Sequence, residues 1–169
     1  MASLCDISLA ERLLADARRH PRRMLAQAWG EFVGQWMWEW FGTLTFTEDT
    51  HQERALKLFR IWCSKLSREI YGPRWHKRPP YGVIWVLSVE YQKSGRIHLH
   101  FVMASVGDTR RLSWMDHWQE LDGVAGFPRI FPVENTEAVS NYVTKYVTKE
   151  GDVFFSKNLE LPSRDLFAG

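Results

Sequence analysis

The stretch Gly95–Met103, GRIHLHFVM, carries two histidines two residues apart among apolar neighbours. In a strand, alternate side chains face opposite sides, so His98, His100 and Val102 share one face while Ile97, Leu99, Phe101 and Met103 take the other. The preceding run, VIWVLSVE, ends in a lone glutamate, Glu90. Between them Lys93-Ser94-Gly95 suits a three-residue hairpin loop, with glycine at its left-handed position. If residue 92 pairs with 96, Glu90 lies opposite His98 and Ser88 opposite His100, with cross-strand Cβ separations of about 5 Å. Two imidazoles and a carboxylate on one face can hold a divalent cation and leave positions open for substrate. The donor set does not exclude zinc or ferrous iron, and a nuclease would use such an ion as a Lewis acid on a phosphate oxygen. The plainer reading is a structural histidine pair beside an exposed glutamate.

A second set lies in NYVTKYVTK, residues 141–149, where Tyr-Val-Thr-Lys occurs twice. At roughly 100° per residue, Tyr142, Tyr146, Lys145 and Lys149 fall within one arc of about 100°. Val139, Val143 and Val147 lie beside them and would anchor the helix to a sheet. Two phenols flanked by two ammonium groups make a poor core but suit attack on a phosphodiester. Tyrosine is a weak nucleophile at neutral pH because its pKa is about 10, and a neighbouring Lys or metal cation favours the phenolate. A phosphotyrosine keeps the energy of the cut bond, so the strand can be rejoined without ATP. Read alone, the segment is equally an ordinary surface helix with tyrosines at its edge.

The elements that must position these groups can be read along the chain. Residues 8–20 form a helix with Ser8 as N-cap and Glu11 three residues on. Pro21 begins a second helix burying Met24, Leu25, Ala28, Trp29, Phe32, Val33 and Trp36. FGTLTFT is a strand with Leu44 and Phe46 on one face and Thr43, Thr45 and Thr47 on the other. Residues 51–70 are an amphipathic helix with Ala55, Leu58, Phe59, Trp62 and Leu66 inward. YGPRWHKRPPYG is a basic loop. Strands follow at 83–90 and 96–104, a helix at Leu112–Leu121, and an edge strand at Phe127–Val133, whose Pro128 and Pro132 argue against a central place. Asn135 caps a last helix through Lys149, and the final 20 residues carry no firm signal. The order predicts an α+β fold with helices packed on an antiparallel sheet.

At 169 residues and 45% hydrophobic, the chain supports one buried domain. It has no apolar run of the roughly 20 residues needed to cross a bilayer, and its charged N-terminus lacks a signal-peptide core. Cys5 and Cys63 make no disulfide framework, which points to a reducing, cytoplasmic setting. Net charge is only +2, but its distribution is uneven. Between Glu53 and Arg78 eight basic residues face two acidic ones, and Arg18, Arg19, Arg22 and Arg23 form another cluster. Such patches attract polyanions, nucleic acid above all.

Taken together, Glu90, His98-Leu99-His100-Phe101-Val102-Met103 and the Tyr142/Tyr146 helix resemble the HUH endonucleases, within them the rolling-circle replication initiators (Rep proteins) of phages and plasmids. FGTLTFT resembles their first motif, the histidine strand their second and the tyrosine–lysine helix their third, in its two-tyrosine form. The resemblance covers roughly residues 41–150, leaving 1–40 as a helical extension and 151–169 as a tail. It implies a five-stranded antiparallel sheet, an RRM-like variant of the ferredoxin-like fold, with the histidines on a central strand. It also implies Mg2+ or Mn2+ bound by His98, His100 and Glu90. One tyrosine would attack single-stranded DNA, leaving a 5′-phosphotyrosine and a free 3′-hydroxyl, while Lys145 and Lys149 orient the phosphate or protonate the leaving oxygen. Spacing does not say which tyrosine acts first. Host helicase and polymerase are expected partners. Candidate DNA contacts are Thr43, Thr45, Arg74, Trp75, Lys77 and Arg78, with Trp75 the stacking residue and Trp62 core. A two-tyrosine transposase shares the chemistry. A non-catalytic RRM-like module would need aromatics where this sheet face carries histidines, and a ferrous-iron oxygenase has no use for the tyrosine–lysine helix.

Overall fold

The structure is a computed structural model and describes residues 31, 34–135, 137, 139, 142 and 152–159. The expected helices over 8–20 and from Pro21 lie outside the described residues, apart from Glu31 and Gly34, which are helical, and a half-buried Trp36.

Five antiparallel strands form one sheet in the order β4-β1-β3-β2-β5. They are β1 (Trp40–Leu44), β2 (Ile84–Tyr91), β3 (Ile97–Ala104), β4 (Arg129–Pro132) and β5 (Val153–Phe155). The helices α1 (Gln52–Tyr71) and α2 (Arg111–Gln119) are also described. The expected α+β fold is therefore the observed one, with the histidine strand β3 at the centre.

The apolar period decides which face is covered. From β3, Ile97, Leu99, Phe101 and Met103 enter one core with Trp85, Leu87 and Val89 of β2. Onto it α1 lays Ala55, Leu58, Phe59, Trp62 and Leu66, spaced three and four residues apart as one helical face requires. From α2 come Trp114 and Trp118. Trp62 is wholly buried, its ring about 6 Å from those of Phe101, Trp114 and Trp118, and its indole N–H donates to the Trp114 carbonyl at 3.0 Å. That bond satisfies the one polar atom of a side chain otherwise suited to a core. α1 stops at Gly72, which takes φ +78° and donates to the Arg68 carbonyl, a helix end that a residue with a Cβ adopts poorly.

The opposite face carries a smaller cluster, with Val86 of β2 and Val102 and Ala104 of β3 joined by Trp38 and Val139. Tyr142 and Phe41 pack against it.

Two elements differ from the sequence reading. The first strand ends at Leu44 rather than Thr47. Beyond it Phe46 makes an isolated bridge to Ala125, and the hydroxyls of Thr45 and Thr47 donate to the carbonyls of Phe127 and Val124. These threonines therefore fasten a loop instead of extending the sheet. The second difference is β5, in a region where three residues were too few to show a period. It pairs with β2 through Val86–Phe155, Leu87–Phe154 and Ser88–Val153, so the folded sheet runs past residue 150. β4 is an edge strand, as its prolines required. The chain thus leaves the sheet at the β4 edge and rejoins it at the β5 edge.

Candidate active site

The hairpin between β2 and β3 has the register that its loop and apolar period dictate. Glu90 lies opposite His98 and Ser88 opposite His100. The Gln92 N–H donates to the Arg96 carbonyl at 2.9 Å, the Gly95 N–H to the Gln92 carbonyl at 2.8 Å, and Gly95 takes φ +82°. The same face receives Thr43 from β1, which pairs with His100.

His100 is the hub. It is only 6% exposed, and its Nε2 lies 2.7 Å from Glu90 Oε2. Its Nδ1 is 3.0 Å from Thr43 Oγ1 and 3.1 Å from the Tyr142 hydroxyl oxygen. The Tyr142 hydroxyl donates to the Gly42 carbonyl at 3.0 Å and lies 3.5 Å from Thr43 Oγ1. Its ring meets Phe41 edge-on at 5.4 Å.

Asn135 starts the segment that delivers Tyr142. Its side-chain oxygen accepts the Glu137 N–H at 2.8 Å, the capping bond expected of that residue, and the backbone at Glu137, Val139 and Tyr142 is helical. Gly42 permits the close approach beneath the phenol, since a Cβ there would run into the Arg129 carbonyl oxygen of β4.

His98 sits at the rim, its ring 6.3 Å from that of His100. Its Nδ1 meets the Gln92 amide at 3.0 Å. Burial lowers its pKa below the usual histidine value, with the Glu90 carboxylate partly offsetting this. The neutral ring is thereby favoured, which is the form that binds a metal.

The donors fit a divalent cation in kind and in face: two imidazoles and a carboxylate, with Thr43 behind His100 to orient its ring as a metal-bound histidine requires. As the side chains stand, no three His, Cys, Asp or Glu groups among the described residues converge at ligand spacing. Glu90 and His100 bond each other instead, and a cation would have to displace that bond.

Other expected site residues are placed differently. Tyr146, Lys145 and Lys149 lie outside the described residues. Arg74, Trp75, Lys77 and Arg78 precede β2, at the end of the hairpin remote from Glu90. Six residues separate Ile84 from Glu90, about 20 Å of strand. The structure does not bring these four beside the histidines. Thr45 is tied to the Phe127 carbonyl, whereas Thr43 touches His100 itself. The sequence reading missed the Thr43–His100 bond, Gln92 on His98 and the Gly42 carbonyl under Tyr142. The first and last depend on β1 pairing with β3 some 57 residues away, which no local pattern encodes. Gln92 was discoverable, because it immediately precedes the hairpin loop.

The fold and this cluster define an α+β protein with a carboxylate, histidines and a phenol gathered on one face of an antiparallel sheet. Residues 39–151 match the family model described as Replication-associated protein ORF2, and the chain belongs to that family. It is thus a replication-associated protein, of a kind that works on DNA. No curated protein matches the chain. Among solved structures it is similar to the hypothetical protein ORF119 from Sulfolobus islandicus rod-shaped virus 1, at 15% identity and a TM-score of 0.46, over 77% of this chain and 97% of that one. Among the described residues no helix is long and apolar enough to cross a membrane.

Proposed function

We propose that this protein is an HUH-type, metal-dependent endonuclease and strand transferase of the two-tyrosine class, which nicks single-stranded DNA to start and end rolling-circle replication. The observation that carries this reading is the Tyr142 hydroxyl, 3.1 Å from His100 Nδ1 on the face that also bears Glu90 and His98.

Tyr142 Oη attacks the scissile phosphorus. The Oη–P bond forms and the P–O3′ bond breaks, leaving a 5′-phosphotyrosine and a 3′-hydroxyl that a host polymerase can extend. His100 Nδ1 serves the phenol in either tautomer. When Nε2–H is given to Glu90, Nδ1 can take the phenolic proton; when Nδ1 carries the proton, it can hold the phenolate by a hydrogen bond. Thr43 is a positioning residue for that ring. Mg2+ or Mn2+ held by Glu90, His98 and His100 would supply positive charge to polarise the phosphate. Lys145 and Lys149 orient the phosphate and protonate the departing 3′ oxygen, and Tyr146 performs the second cut that closes a circle.

The test is a denaturing gel of protein incubated with Mn2+ and a pool of labelled single-stranded oligonucleotides that includes origin sequences from the source replicon. Wild type should give a protein–DNA band that survives SDS and is lost on chelation. Tyr142→Phe/Tyr146→Phe should abolish it, and the single variants should show which phenol attacks. A band that persists in the double variant would refute tyrosine transfer.

A further inference from the structure

The largest cavity described, about 800 Å3, lies far from the histidines, between α1, the loop before β2 and the β5 edge. Its size is within the range of ligand pockets, about 300–1,000 Å3. Arg60, Trp75, His76, Tyr81 and Lys157 line it, and no Asp or Glu is among its described lining residues. Arg60 and Lys157 are exposed and Trp75 is half-exposed, so charges and ring faces are presented to solvent. Exposed Arg74, Lys77 and Arg78 on the same loop carry positive charge beyond this cavity.

The wall is built rather than incidental. Gly82, at φ +96°, lies so close to the Trp75 ring that a Cβ would meet ring carbons at 2.8 and 2.9 Å and Ser67 Oγ at 2.7 Å. The Ser67 hydroxyl accepts the Val83 N–H at 3.0 Å. The buried Asn158 amide donates to the carbonyls of Pro80 at 2.9 Å and Gly82 at 3.1 Å. Between those carbonyls Tyr81 is held at φ +62°, a conformation that an aromatic residue rarely adopts and that surrounding structure must impose. The outcome is a phenol ring kept 38% exposed at the cavity wall.

We infer that this cavity is a second single-stranded DNA site, in which a base stacks on Trp75 or Tyr81 while flanking phosphates meet Arg60 and Lys157. Cations interleaved with aromatic rings, with no acid to repel a backbone, suit single-stranded nucleic acid. Exposed cations beyond the cavity favour an extended polyanion over an isolated nucleotide. Since the cavity is remote from Glu90 and His98 along the strands, the DNA held here is not the nucleotide being cut. The site would keep hold of the strand while its end is exchanged. The inference requires DNA as partner but not cleavage.

Fluorescence anisotropy with a labelled oligo-dT, in EDTA and on the Tyr142→Phe/Tyr146→Phe background, reads binding without chemistry. Arg60→Glu/Lys157→Glu should weaken binding at least about tenfold and reduce the slope of log K against log salt by about 1.4, for two phosphate contacts. Trp75→Ala should cost about 5- to 150-fold, the range for one stacked base. The charge reversals sit at exposed positions, so an unchanged melting temperature confirms that they fold even if Trp75→Ala does not. Photocrosslinks from 5-iodouracil should map to Trp75 or Tyr81. Unchanged affinity and salt slope in folded charge-reversal protein, crosslinks confined to the histidine face, or a wild type that does not bind would each overturn the inference. A covalent band on the denaturing gel with none of these pocket effects would sink the second site alone; pocket effects without that band would sink the nuclease reading alone.

Discussion

The two faces of the sheet are built from the same strands by opposite rules. On the helix side β3 contributes Leu99, Phe101 and Met103, all at most 1% exposed, and tryptophans from two helices interlock over them. On the other side the same strand contributes His98 and His100, held by hydrogen bonds to groups from β1, β2 and the Tyr142 segment. One side gains stability by excluding water. The other places polar groups where burial must be offset by partners. A single strand can do both because its side chains alternate, so stability and chemistry can be varied almost independently from adjacent positions.

That independence predicts a ladder of effects. Phe101→Ala opens a cavity beneath Trp62 and Phe59 and should cost about 3–5 kcal/mol of stability, read as a lower urea midpoint, while surviving folded protein keeps its nicking activity. Its neighbour His100→Ala should cost less stability, about 1–3 kcal/mol, but lower covalent DNA attachment by about 100-fold or more. If both variants lose stability and activity in the same proportion, the division between faces is wrong. Thr43→Val keeps the shape and removes the hydroxyl beside His100 Nδ1. A drop in attachment of about tenfold with stability within about 1 kcal/mol is expected, and Thr43→Ser should restore it.

The smallest effect concerns pH. Burial depresses the folded pKa of His98 below its ordinary value near 6.5. Protonation therefore favours the unfolded chain. The contribution is complete above about pH 6.5 and is lost as pH falls through the depressed folded value. The melting temperature of wild type should fall more between pH 7.5 and 5 than that of His98→Gln; parallel curves would exclude this ring as a source of acid sensitivity.

What could be read from the sequence follows the range of the interactions. The hairpin register, the inward face of α1, the edge position of β4 and the Asn135 cap are set within a few residues, and each was legible. β5 was not, because three residues show no period and its place depends on a free edge of β2. The Thr43–His100 bond was equally hidden, since it arises only when β1 is laid against β3. The same limit applies to Arg74 and Trp75. Their composition suggested nucleic-acid binding, but only the fold shows that they stand at the other end of the sheet from Glu90.

One consequence follows from the path between the sheet edges. Tyr142 belongs to a segment that departs from β4 at one border and returns as β5 at the other, where the Val89 N–H donates to the Asp152 carbonyl at 3.0 Å and the Gln52 amide donates to the Asp152 carboxylate at 2.8 Å. A DNA end joined to this tyrosine would pull on a tether moored at both ends. Tension from an advancing replication fork would divide between two strand pairings on opposite borders, instead of peeling one of them from its end.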